Sequence, residues 1–344
     1  MAKQTDVVVV GAGVAGLTAA RELSRGGASV VVLDKARGVG GRCATWRGPE
    51  NLPLDHGVCF LHGDEPAFLD AVAGVEGTLL PGWPARVEGS GDPCQITAFS
   101  PRERRFGVVE GISAFPKTLA RDLDVRRQTR VVALEASGGT IRLSSDGGDS
   151  FVARDVLLAL PCEQTLELLR SLKGASEGIA GLQSLLEMLG TVPCLTVMAC
   201  YAAEAEAPGW DMLYPRESRV LQLCSHESSK RPNARAPALV LQARASWSRA
   251  HLDDDVAEWS QQLLAEAGRL VGTWAARPSW TRAHRWRYAR TDLSSELAEP
   301  PRVELDGGAR LSLAGELFAR GAGIEAAWSS GMQIARRIAR GEAT

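Results

Sequence analysis

The chain has 344 residues, of which 45% are apolar and 23% charged, and its formal net charge is −2. These values are typical of a soluble globular protein long enough for two domains, and the charge favours neither a nucleic acid nor an anionic membrane as partner. The first residues enter a short apolar run directly, without the pattern of a signal peptide or a membrane span. We therefore expect a cytoplasmic protein with no nucleic-acid and no membrane partner.

The first predicted strand and helix form a dinucleotide-binding motif. Residues 7–10 are four valines, the length that a buried parallel strand needs, and Gly11, Gly13 and Gly16 follow with G-x-G-x-x-G spacing. Gly11 permits the tight turn, Gly13 lets the backbone approach a pyrophosphate, and Gly16 lets the helix pack close to the strand. A helix predicted over Val14–Arg25 would direct its free N–H groups and its positive dipole end at the phosphates.

The next strand and the loop after it indicate FAD rather than NAD. The predicted strand Val30–Leu33 ends in Asp34, about where a ribose hydroxyl needs an acceptor. Gly40, Gly41 and Arg42 follow, and such a loop is similar to the second motif of two-dinucleotide-domain flavoproteins, amine oxidases included. There the loop lies beside the FAD pyrophosphate and the arginine supplies charge-assisted donors. A simple NAD dehydrogenase does not need this loop.

The remaining pattern predicts that the chain leaves the dinucleotide domain and later returns to it. Residues 194–201, 220–224 and 239–245 predict a separate antiparallel sheet, whereas 311–316 and the helix after it predict a return to the first sheet. Other strands are predicted at 54–63, 130–134, 141–144, 150–153 and 155–160, and other helices at 115–123, 164–172, 253–270 and 324–340. Asp255 belongs to an acidic run predicted to begin the third of these helices.

We therefore predict an α/β fold, with a Rossmann-like FAD-binding domain and an inserted mixed-sheet substrate domain, as in amine-oxidase-like two-domain flavoproteins. The predicted FAD-binding domain comprises residues 1–70, 105–163 and 285–344, and the predicted substrate domain comprises 71–104 and 164–284. The seven cysteines are irregularly spaced, with no Cys-x-x-Cys pair and no zinc-like Cys/His spacing. They predict buried free thiols and no metal site.

Strings along the whole chain resemble the renalase family of FAD-dependent oxidases, relatives of the monoamine oxidases. They are DKARGVGGR at 34–42, LDHG at 54–57, SHESSKRP at 225–232, WSRAHL at 247–252, HRWRYA at 284–289, AGE at 314–316 and EAAWSSG at 325–331. The resemblance implies an FAD domain in three pieces and oxidation of isomeric dihydronicotinamides. A hydride would pass from a ring carbon to flavin N5, and O2 would reoxidise the flavin to give H2O2.

The chain departs from that family around the expected active site. Cys59 and Phe60 stand where the family has Gln and Tyr, and His62 adds a nitrogen nearby. His226 and Glu227 replace an Asn pair, Glu316 replaces an Asp, and Leu317-Phe318 replace Trp-Cys. These changes keep two alternatives open. One is a flavin amine oxidase or a secondary-metabolite desaturase on the same fold, and the other is an FAD-binding protein without turnover.

The motifs and the resemblance together give the predicted FAD contacts. Arg42 is assigned to the pyrophosphate, Val131 to a backbone contact with adenine or to the core, and Glu316 to a ribityl hydroxyl or a helix cap. The helix N-terminus at 323–325 would stabilise negative charge at flavin N1 and O2. The full set is Gly11, Ala12, Gly13, Ala15, Gly16, Asp34, Lys35, Gly41, Arg42, Val58, Cys59, Val131, Gly315, Glu316, Gly323, Ile324 and Glu325.

Four side chains are candidates for contact with a small-molecule substrate, with O2 as the electron acceptor. They are His62, His226, Trp286 and Tyr288. His226 beside Glu227 suggests an oriented acid–base pair or a solvated loop, and Trp286 and Tyr288 share one face of a predicted strand, as an aromatic wall or as core. Hydride transfer needs a dry pocket and close positioning rather than a strong base. The substrate, the oligomeric state and covalent attachment of FAD are not specified by the sequence.

Overall fold

A computed structural model describes residues 3–93, 95–173, 177–291, 297–321 and 323–342. The chain forms two compact units. Unit 1 comprises Met1–Gly41, Phe115–Thr191 and Thr291–Thr344, and unit 2 comprises Arg42–Ala114 and Val192–Arg290. Relative to the sequence-based domains, residues 42–70, 105–114 and 285–290 fall in unit 2, and 164–191 fall in unit 1.

Strand pairing and helix packing explain where these stretches fall. Strand residues 61–63 pair with 104–106, within unit 2. The helix over Cys162–Ser171 supplies Leu168 and Leu169 to the hydrophobic core of unit 1.

The strands are numbered in chain order. They are β1 (Lys3–Val10), β2 (Val30–Leu33), β3 (Thr45–Arg47), β4 (Pro53–Asp55), β5 (Leu61–Gly63), β6 (Leu79–Pro81), β7 (Val87–Glu88), β8 (Arg104–Val108), β9 (Asp124–Arg126), β10 (Val131–Ser137), β11 (Thr140–Ser145), β12 (Ser150–Leu158), β13 (Thr191–Cys200), β14 (Met212–Leu213), β15 (Leu221–His226), β16 (Ala238–Ala243), β17 (Trp280–Thr291), β18 (Arg302–Glu304) and β19 (Arg310–Leu313).

The helices are α1 (Val14–Arg25), α2 (Pro66–Ala73), α3 (Ala114–Leu119), α4 (Cys162–Ser171), α5 (Glu177–Met188), α6 (Ala245–Ala250), α7 (Val256–Leu270) and α8 (Ile324–Ala339). Short 3₁₀ turns cover Pro49–Asn51, Ile96–Phe99, Glu227–Lys230, Thr273–Ala276 and Glu316–Phe318. The predicted helices at 14–25, 164–172, 253–270 and 324–340 correspond to α1, α4, α7 and α8.

Unit 1 is built on a sheet that is parallel at its centre. β1 lies between β2 and β12, β9 continues beyond β2, and β19 runs parallel to the second half of β12. β10 and β11 extend the sheet as an antiparallel meander that ends in the first half of β12. Alternate residues of β1, such as Val8 and Val10, enter the core together with Val156 and Leu158 of β12. Valine runs in β1 and β2 suit strands buried on both faces.

Helices α1 and α8 pack closely in unit 1 because a glycine lies at their contact. A Cβ on Gly331 of α8 would lie 2.4 Å from the carbonyl oxygen of Ala15 and 3.0 Å from the Cβ of Thr18. Only hydrogen fits at such a distance, so the close approach of α8 to α1 requires glycine there. This packing joins the first and last segments of the chain in one unit.

Unit 2 is built on a second sheet with the order β17-β13-β16-β15-β14-β7, accompanied by the β3–β4 pair and by β5-β8-β6. β13, β15 and β16 correspond to the antiparallel sheet that the sequence predicts. Asp255 caps α7 by accepting from the N–H groups of Ala257 and Glu258, as the acidic run before that helix suggested. The helices α2, α5 and α6 were not predicted, because α2 and α6 are short and two glycines interrupt the apolar pattern of α5.

The cysteines of the described residues are free and buried, as the sequence predicts: Cys43, Cys59, Cys162, Cys194, Cys200 and Cys224. Cys94 lies outside the described residues. Burial raises the pKa of Cys200 to about 11 and of Cys224 to about 12, so both thiols stay protonated at neutral pH. Among the helices described here, none combines the length and the apolar character needed to cross a membrane.

Candidate functional site

The turn after β1 leaves no room for side chains at two of its glycines. The Gly11 N–H donates to the carbonyl of Leu33 at 2.8 Å, which ties the ends of β1 and β2 together. Gly11 has φ +110°, and a Cβ there would lie 2.4 Å from the Ala159 oxygen. A Cβ on Gly16 would lie 2.1 Å from the Gly11 oxygen. Both positions therefore need glycine for the backbone itself.

Gly13 differs, because a Cβ on it would meet no protein atom within 4 Å. It precedes α1, whose first N–H groups, including those of Ala15 and Gly16, have no partner within the helix by its geometry. Open space beside a bare backbone, next to a positive helix end, fits a phosphate group. Gly13 therefore leaves open the space that the pyrophosphate of FAD would need, and its lack of a side chain is not required for packing within the protein.

The second glycine loop lies against the first. The Gly40 N–H donates to the Ala12 carbonyl at 2.8 Å, and a Cβ on Gly41 would lie 3.6 Å from Gly13 Cα. The structure thus brings Ala12, Gly13 and Gly41 together in unit 1, in agreement with a shared pyrophosphate site. Lys35, in the same loop, is exposed.

The Asp34 side chain stabilises the loop by accepting hydrogen bonds from its backbone. One carboxylate oxygen accepts from the Ala12 N–H at 2.6 Å, and the other accepts from the Ala36 N–H at 2.7 Å. An ionised carboxylate has about four acceptor positions, so acceptor capacity is left for ribose hydroxyls. Thr129 N–H donates to the Asp34 carbonyl at 2.9 Å, which brings the segment preceding Val131 to this loop.

The end of β19 carries the C-terminal part of the predicted FAD site. Gly315 N–H donates to the Ser330 hydroxyl of α8 at 3.1 Å. Glu316 accepts from the Thr291 N–H at 2.9 Å and from the Thr291 hydroxyl. Gly323 precedes α8 with φ +86°, and Ile324 and Glu325 form the first turn of that helix. Glu316 therefore links two segments of the chain, and it is also a candidate acceptor for a hydrogen bond from a ribityl hydroxyl.

In unit 2, a loop over residues 56–59 packs on the backbone of Arg42. Val58 N–H donates to the Arg42 carbonyl at 3.0 Å, and a Cβ on Gly57 would lie 2.1 Å from the same oxygen. The Arg42 guanidinium lies 3.4 Å from the Ala289 carbonyl of β17, and Gln242 donates to the Gly57 carbonyl at 2.6 Å. The predicted contacts Arg42, Val58 and Cys59 thus come together with β17.

A buried group of four charged side chains, Asp55, Glu227, Lys230 and Arg231, supports this loop. The Lys230 ammonium lies 2.7 Å from Asp55, 2.8 Å from Glu227 and 2.9 Å from the Cys59 carbonyl. Arg231 lies 3.1 Å from Asp55 and 3.4 Å from Glu227. Each carboxylate therefore faces two cations, which satisfies charges that burial would otherwise make costly.

The two carboxyl groups of this buried group differ in acidity. Burial opposes ionisation of both, but the Lys230 and Arg231 charges hold the pKa of Asp55 below its usual value. Asp55 also accepts from the Thr45 hydroxyl at 2.7 Å and the Ile112 N–H at 2.8 Å. Burial and the neighbouring Asp55 charge raise the pKa of Glu227.

Cys59 is a buried, neutral thiol. Desolvation raises the pKa of Cys59 far above neutrality, because burial disfavours the thiolate. Its Sγ lies 3.9 Å from the carbonyl oxygens of Asp55 and Gly57. The side chain therefore presents a weakly polar surface rather than a nucleophile.

An aromatic group lies on β17 beside the same loop. The Trp286 ring stacks on His56 with centroids 5.3 Å apart, and the indole N–H donates to the His56 carbonyl at 3.0 Å. His284 lies 4.1 Å from Trp286 and 4.9 Å from His56, centroid to centroid. Burial and His284 lower the pKa of His56 to about 4, so His56 is neutral at pH 7. Tyr288, two residues beyond Trp286, is half-buried.

His62 is buried and oriented by a carboxylate. Its Nδ1 lies 3.1 Å from Glu103 Oε2, while its Nε2 is buried and has no hydrogen-bond partner among the described residues. The Phe60 ring centroid lies 5.8 Å away. A His62–Glu103 pair was not predicted, because the two residues lie on different strands or loops and nothing in the spacing links them.

The predicted pairing of His226 with Glu227 is wrong. His226 Nδ1 bonds to the Trp210 carbonyl at 3.1 Å, whereas Glu227 accepts from the Asp55 N–H at 2.9 Å and the Ser225 hydroxyl at 2.7 Å. The two side chains diverge because His226 ends a strand and Glu227 begins a 3₁₀ turn. Burial lowers the pKa of His226, which favours a neutral ring.

Comparisons with known proteins agree with this geometry. The family model of the NAD(P)-binding Rossmann-like domain matches residues 9–73. The model of flavin containing amine oxidoreductases matches residues 76–339, which is more than half of the chain. The chain belongs to this flavin-containing amine oxidoreductase family. FAD is its cofactor, and its class is that of the FAD-dependent oxidoreductases.

Curated relatives match this flavin-containing amine oxidoreductase over short segments. The lysine-specific histone demethylase 1 homolog 3 of Arabidopsis thaliana is 51% identical over 62 residues, which are 18% of this chain and 4% of that protein. A protein of Mycobacterium tuberculosis described as a flavin-containing monoamine oxidase is 50% identical over 64 residues, 19% of this chain and 14% of that protein. These matches span only a small part of the relatives' own length.

Solved structures of flavin amine oxidases share the fold of the whole chain. Cyclohexylamine oxidase from Brevibacterium oxydans has a TM-score of 0.75 at 16% identity, covering 98% of this chain and 99% of the other. Wild-type putrescine oxidase bound to putrescine has a TM-score of 0.73 at 16% identity, with 98% and 99% covered. At this identity the likeness establishes the Rossmann-like FAD domain with an amine-oxidase-like second domain, as the sequence predicts, and not a substrate.

Proposed function

We propose that this flavin-containing amine oxidoreductase is an oxidase. It takes a hydride from a carbon next to nitrogen in a small substrate and passes the electrons to O2, giving H2O2. The observation that carries the proposal is the family match over residues 76–339, combined with a glycine turn whose open side at Gly13 fits a pyrophosphate. FAD supplies the hydride acceptance and the return of electrons to oxygen.

The residues of unit 1 would bind and orient the cofactor. The N–H groups at the start of α1 and the backbone of Gly13 and Gly41 would hold the pyrophosphate. Asp34 would accept from the ribose through its remaining acceptor capacity, and Glu316 from the ribityl chain. The positive end of α8 would stabilise negative charge on the flavin ring. Arg42, Val58 and Cys59 stay predicted contacts.

The residues of unit 2 would exclude water and position the substrate. His56, His226 and Cys59 are buried and held neutral, so this part of the protein supplies aromatic and weakly polar surface instead of a strong base. Hydride removal needs close and dry placement of the reacting carbon rather than acid–base chemistry. A simple amine is the first candidate substrate, as the family name indicates.

An isomeric dihydronicotinamide is the second candidate substrate. The strings WSRAHL at 247–252 and HRWRYA at 284–289, which resemble renalases, favour it. In the structure the second string supplies the His284–Trp286 aromatic group, which is suited to contact with a planar ring. In that case NAD(P)⁺ would be a product and not a bound cofactor.

Two measurements test the proposal. The first is an absorption spectrum of the purified protein, followed by an assay of the supernatant after denaturation for released FAD. The second is anaerobic stopped-flow mixing with dihydronicotinamide isomers and, separately, with cyclohexylamine, putrescine and benzylamine. Rapid bleaching of the flavin by one class identifies the substrate, and H2O2 on readmission of O2 identifies the oxidase.

The outcomes distinguish three hypotheses: a renalase-like oxidase, an amine oxidase and an FAD-binding protein without turnover. Bleaching by dihydronicotinamides alone supports the renalase-like reading, and bleaching by amines alone supports the amine oxidase. An FAD-loaded protein that no compound of either class bleaches would contradict the proposal and leave an FAD-binding protein without this turnover. The Gly13→Val protein, lacking FAD, is the control for substrate oxidation that does not involve the cofactor.

A further inference from the structure

The pairing of β5 with β8 places two unusual side chains opposite each other in unit 2. In this antiparallel pair His62 of β5 lies directly across from Arg105 of β8. Directly opposed residues of antiparallel strands project from the same face, with their Cβ atoms about 5 Å apart. His62 and Arg105 therefore present their side chains side by side.

Each of these two side chains has one buried nitrogen that no described residue satisfies. They are Nε2 of His62 and Nε of Arg105. His62 itself is only 2% exposed, so bulk water does not reach it freely. A buried polar atom without a partner costs free energy and calls for an explanation, such as a ligand that is bound there.

The two nitrogens are complementary in hydrogen bonding. Glu103 Oε2 lies 3.1 Å from Nδ1 of His62, and the tautomer whose Nδ1–H donates to Glu103 offers Nε2 as an acceptor. Arg105 offers Nε–H as a donor, while its NH1 already donates to the Ala98 carbonyl at 3.1 Å. One free acceptor next to one free donor matches a primary carboxamide, which presents an N–H and a C=O together.

The surroundings suit a flat ring attached to that carboxamide. The Phe60 ring lies 5.8 Å from His62 and 6.1 Å from Phe99, centroid to centroid. The Arg105 guanidinium carbon lies 5.1 Å from the Phe99 centroid, and Trp83 lies 6.0 Å from Phe60. Aromatic faces and edges of this kind stack on planar ligands and exclude water from the polar pair.

We propose that His62 and Arg105 form a carboxamide-binding site, with Glu103 as the residue that positions His62. Its ligand is a carboxamide-bearing planar ring of the nicotinamide type. The inference rests on the proposed function only in taking this ligand to be the substrate, and it favours the dihydronicotinamide over the simple amine. His62 accepts from the amide N–H, and Arg105 donates to the amide oxygen.

Binding rather than turnover tests the site, so that failure of the proposed oxidation is a separate result. Isothermal titration of the FAD-loaded protein would use nicotinamide, which has both the N–H and the C=O, and methyl nicotinate, which lacks the N–H. We expect nicotinamide to bind at least about fivefold more tightly, the scale of one net hydrogen bond. His62→Leu should remove that difference, whereas Arg105→Met should weaken both ligands.

The positioning role of Glu103 is tested by asking whether its effect on nicotinamide binding requires His62. Glu103→Leu should weaken nicotinamide as His62→Leu does, and the double variant should bind no more weakly than His62→Leu alone, because Glu103 acts through that ring. Glu103→Gln and His62→Gln keep an acceptor in place and should retain most of the affinity. His251→Leu is the matched control, because His251 forms a similar pair with Asp254 at 2.7 Å but is partly exposed.

The proposal is overturned if His62→Leu, with normal FAD content and melting temperature, keeps the preference for nicotinamide over methyl nicotinate. Absence of nicotinamide binding by the native protein overturns it too, as does His62-dependent binding of cumylamine in place of nicotinamide. Cumylamine is an amine without a hydrogen on its α-carbon, so it binds without being oxidised. If His62→Leu does not fold, Glu103→Leu against Glu103→Gln gives the same decision.

Discussion

At the scale of one residue, Gly13 is expected to be necessary for FAD binding but not for folding. A Cβ there meets no protein atom within 4 Å, so Gly13→Val should fold with the melting temperature of the cofactor-free native protein. The new side chain would occupy the place of the pyrophosphate, and the purified protein should be colourless. FAD content per polypeptide, measured by absorbance, checks this.

Gly181 of α5 is the control for Gly13, since a Cβ there also meets nothing within 4 Å. Gly181→Val should remain yellow. A yellow, FAD-replete Gly13→Val protein would refute the site.

Glu316 combines a structural tie to Thr291 with a candidate contact to FAD. Glu316→Ala should weaken FAD binding by roughly 1–3 kcal/mol, the scale for loss of a hydrogen bond to a charged group. The dissociation constant of FAD, from titration of the protein freed of cofactor, measures it. Glu316→Gln keeps an acceptor for Thr291 and should lose less. Equal retention of FAD by Glu316→Ala and the native protein would leave Glu316 with the structural tie alone.

His56 makes the stability of the fold depend on pH. Its pKa is about 4 in the folded protein, against an ordinary 6.5, so below pH 6.5 the unfolded chain binds a proton that the folded protein does not. Stability is therefore lost as the pH falls from about 6.5 towards 4. Between pH 7 and pH 5 this amounts to roughly 2 kcal/mol.

His56→Phe keeps a ring to stack on Trp286 but does not titrate. Its free energy of unfolding, from urea denaturation, should fall less between pH 7 and pH 5 than that of the native protein. His251→Phe, at a partly exposed site, is the comparison. Parallel losses in the native protein and His56→Phe would show that His56 does not carry this pH dependence.

At the scale of elements, the buried ion group joins β4, the loop after it and the 3₁₀ turn at 227–230. Lys230→Met would leave Asp55 and Glu227, both fully buried, facing Arg231 alone. We expect a loss of about 3–5 kcal/mol, the scale for removing one partner of a buried ion pair. Chemical denaturation measures it.

Arg287→Met is the matched change at the surface, where Arg287 lies 2.6 Å from Asp253 and both are exposed. Its cost should stay below about 1 kcal/mol, since water screens such pairs. Equal losses for Lys230→Met and Arg287→Met would contradict the central role given to the buried group.

At the scale of the whole molecule, FAD binding should stabilise the fold. Unit 1 is assembled from three segments of the chain, and the predicted FAD contacts in that unit come from all three. A ligand that binds only the folded state adds about 2.7 kcal/mol at a concentration a hundred times its dissociation constant. Differential scanning fluorimetry of cofactor-free protein should show a melting temperature that rises with added FAD.

The Gly13→Val protein should show no such rise, because the same fold would lack the phosphate site. A melting temperature of the native protein that does not respond to FAD would contradict cofactor-linked stability. NAD in place of FAD serves as the second control.

The dinucleotide motif was predictable from the sequence, because its signals are local. The valines of β1, the glycines at 11, 13 and 16 and the acid at the end of β2 act within a segment of about thirty residues, and turn geometry links each to its role. The strands and helices with clear periodicity, such as β13 and α7, were predictable for the same reason.

The surroundings of the charged and histidine side chains in unit 2 were not predictable from the sequence, because they depend on contacts between distant segments. Lys230 contacts Asp55, 175 positions away in the sequence. Arg105 lies opposite His62 through strand pairing, and Glu103, just before β8, bonds to the His62 ring. The neighbours His226 and Glu227 bond in different directions, although adjacency suggested a pair. Charge pairing and burial between distant segments depend on how the chain folds. Composition, residue spacing and periodicity do not predict which distant residues come into contact.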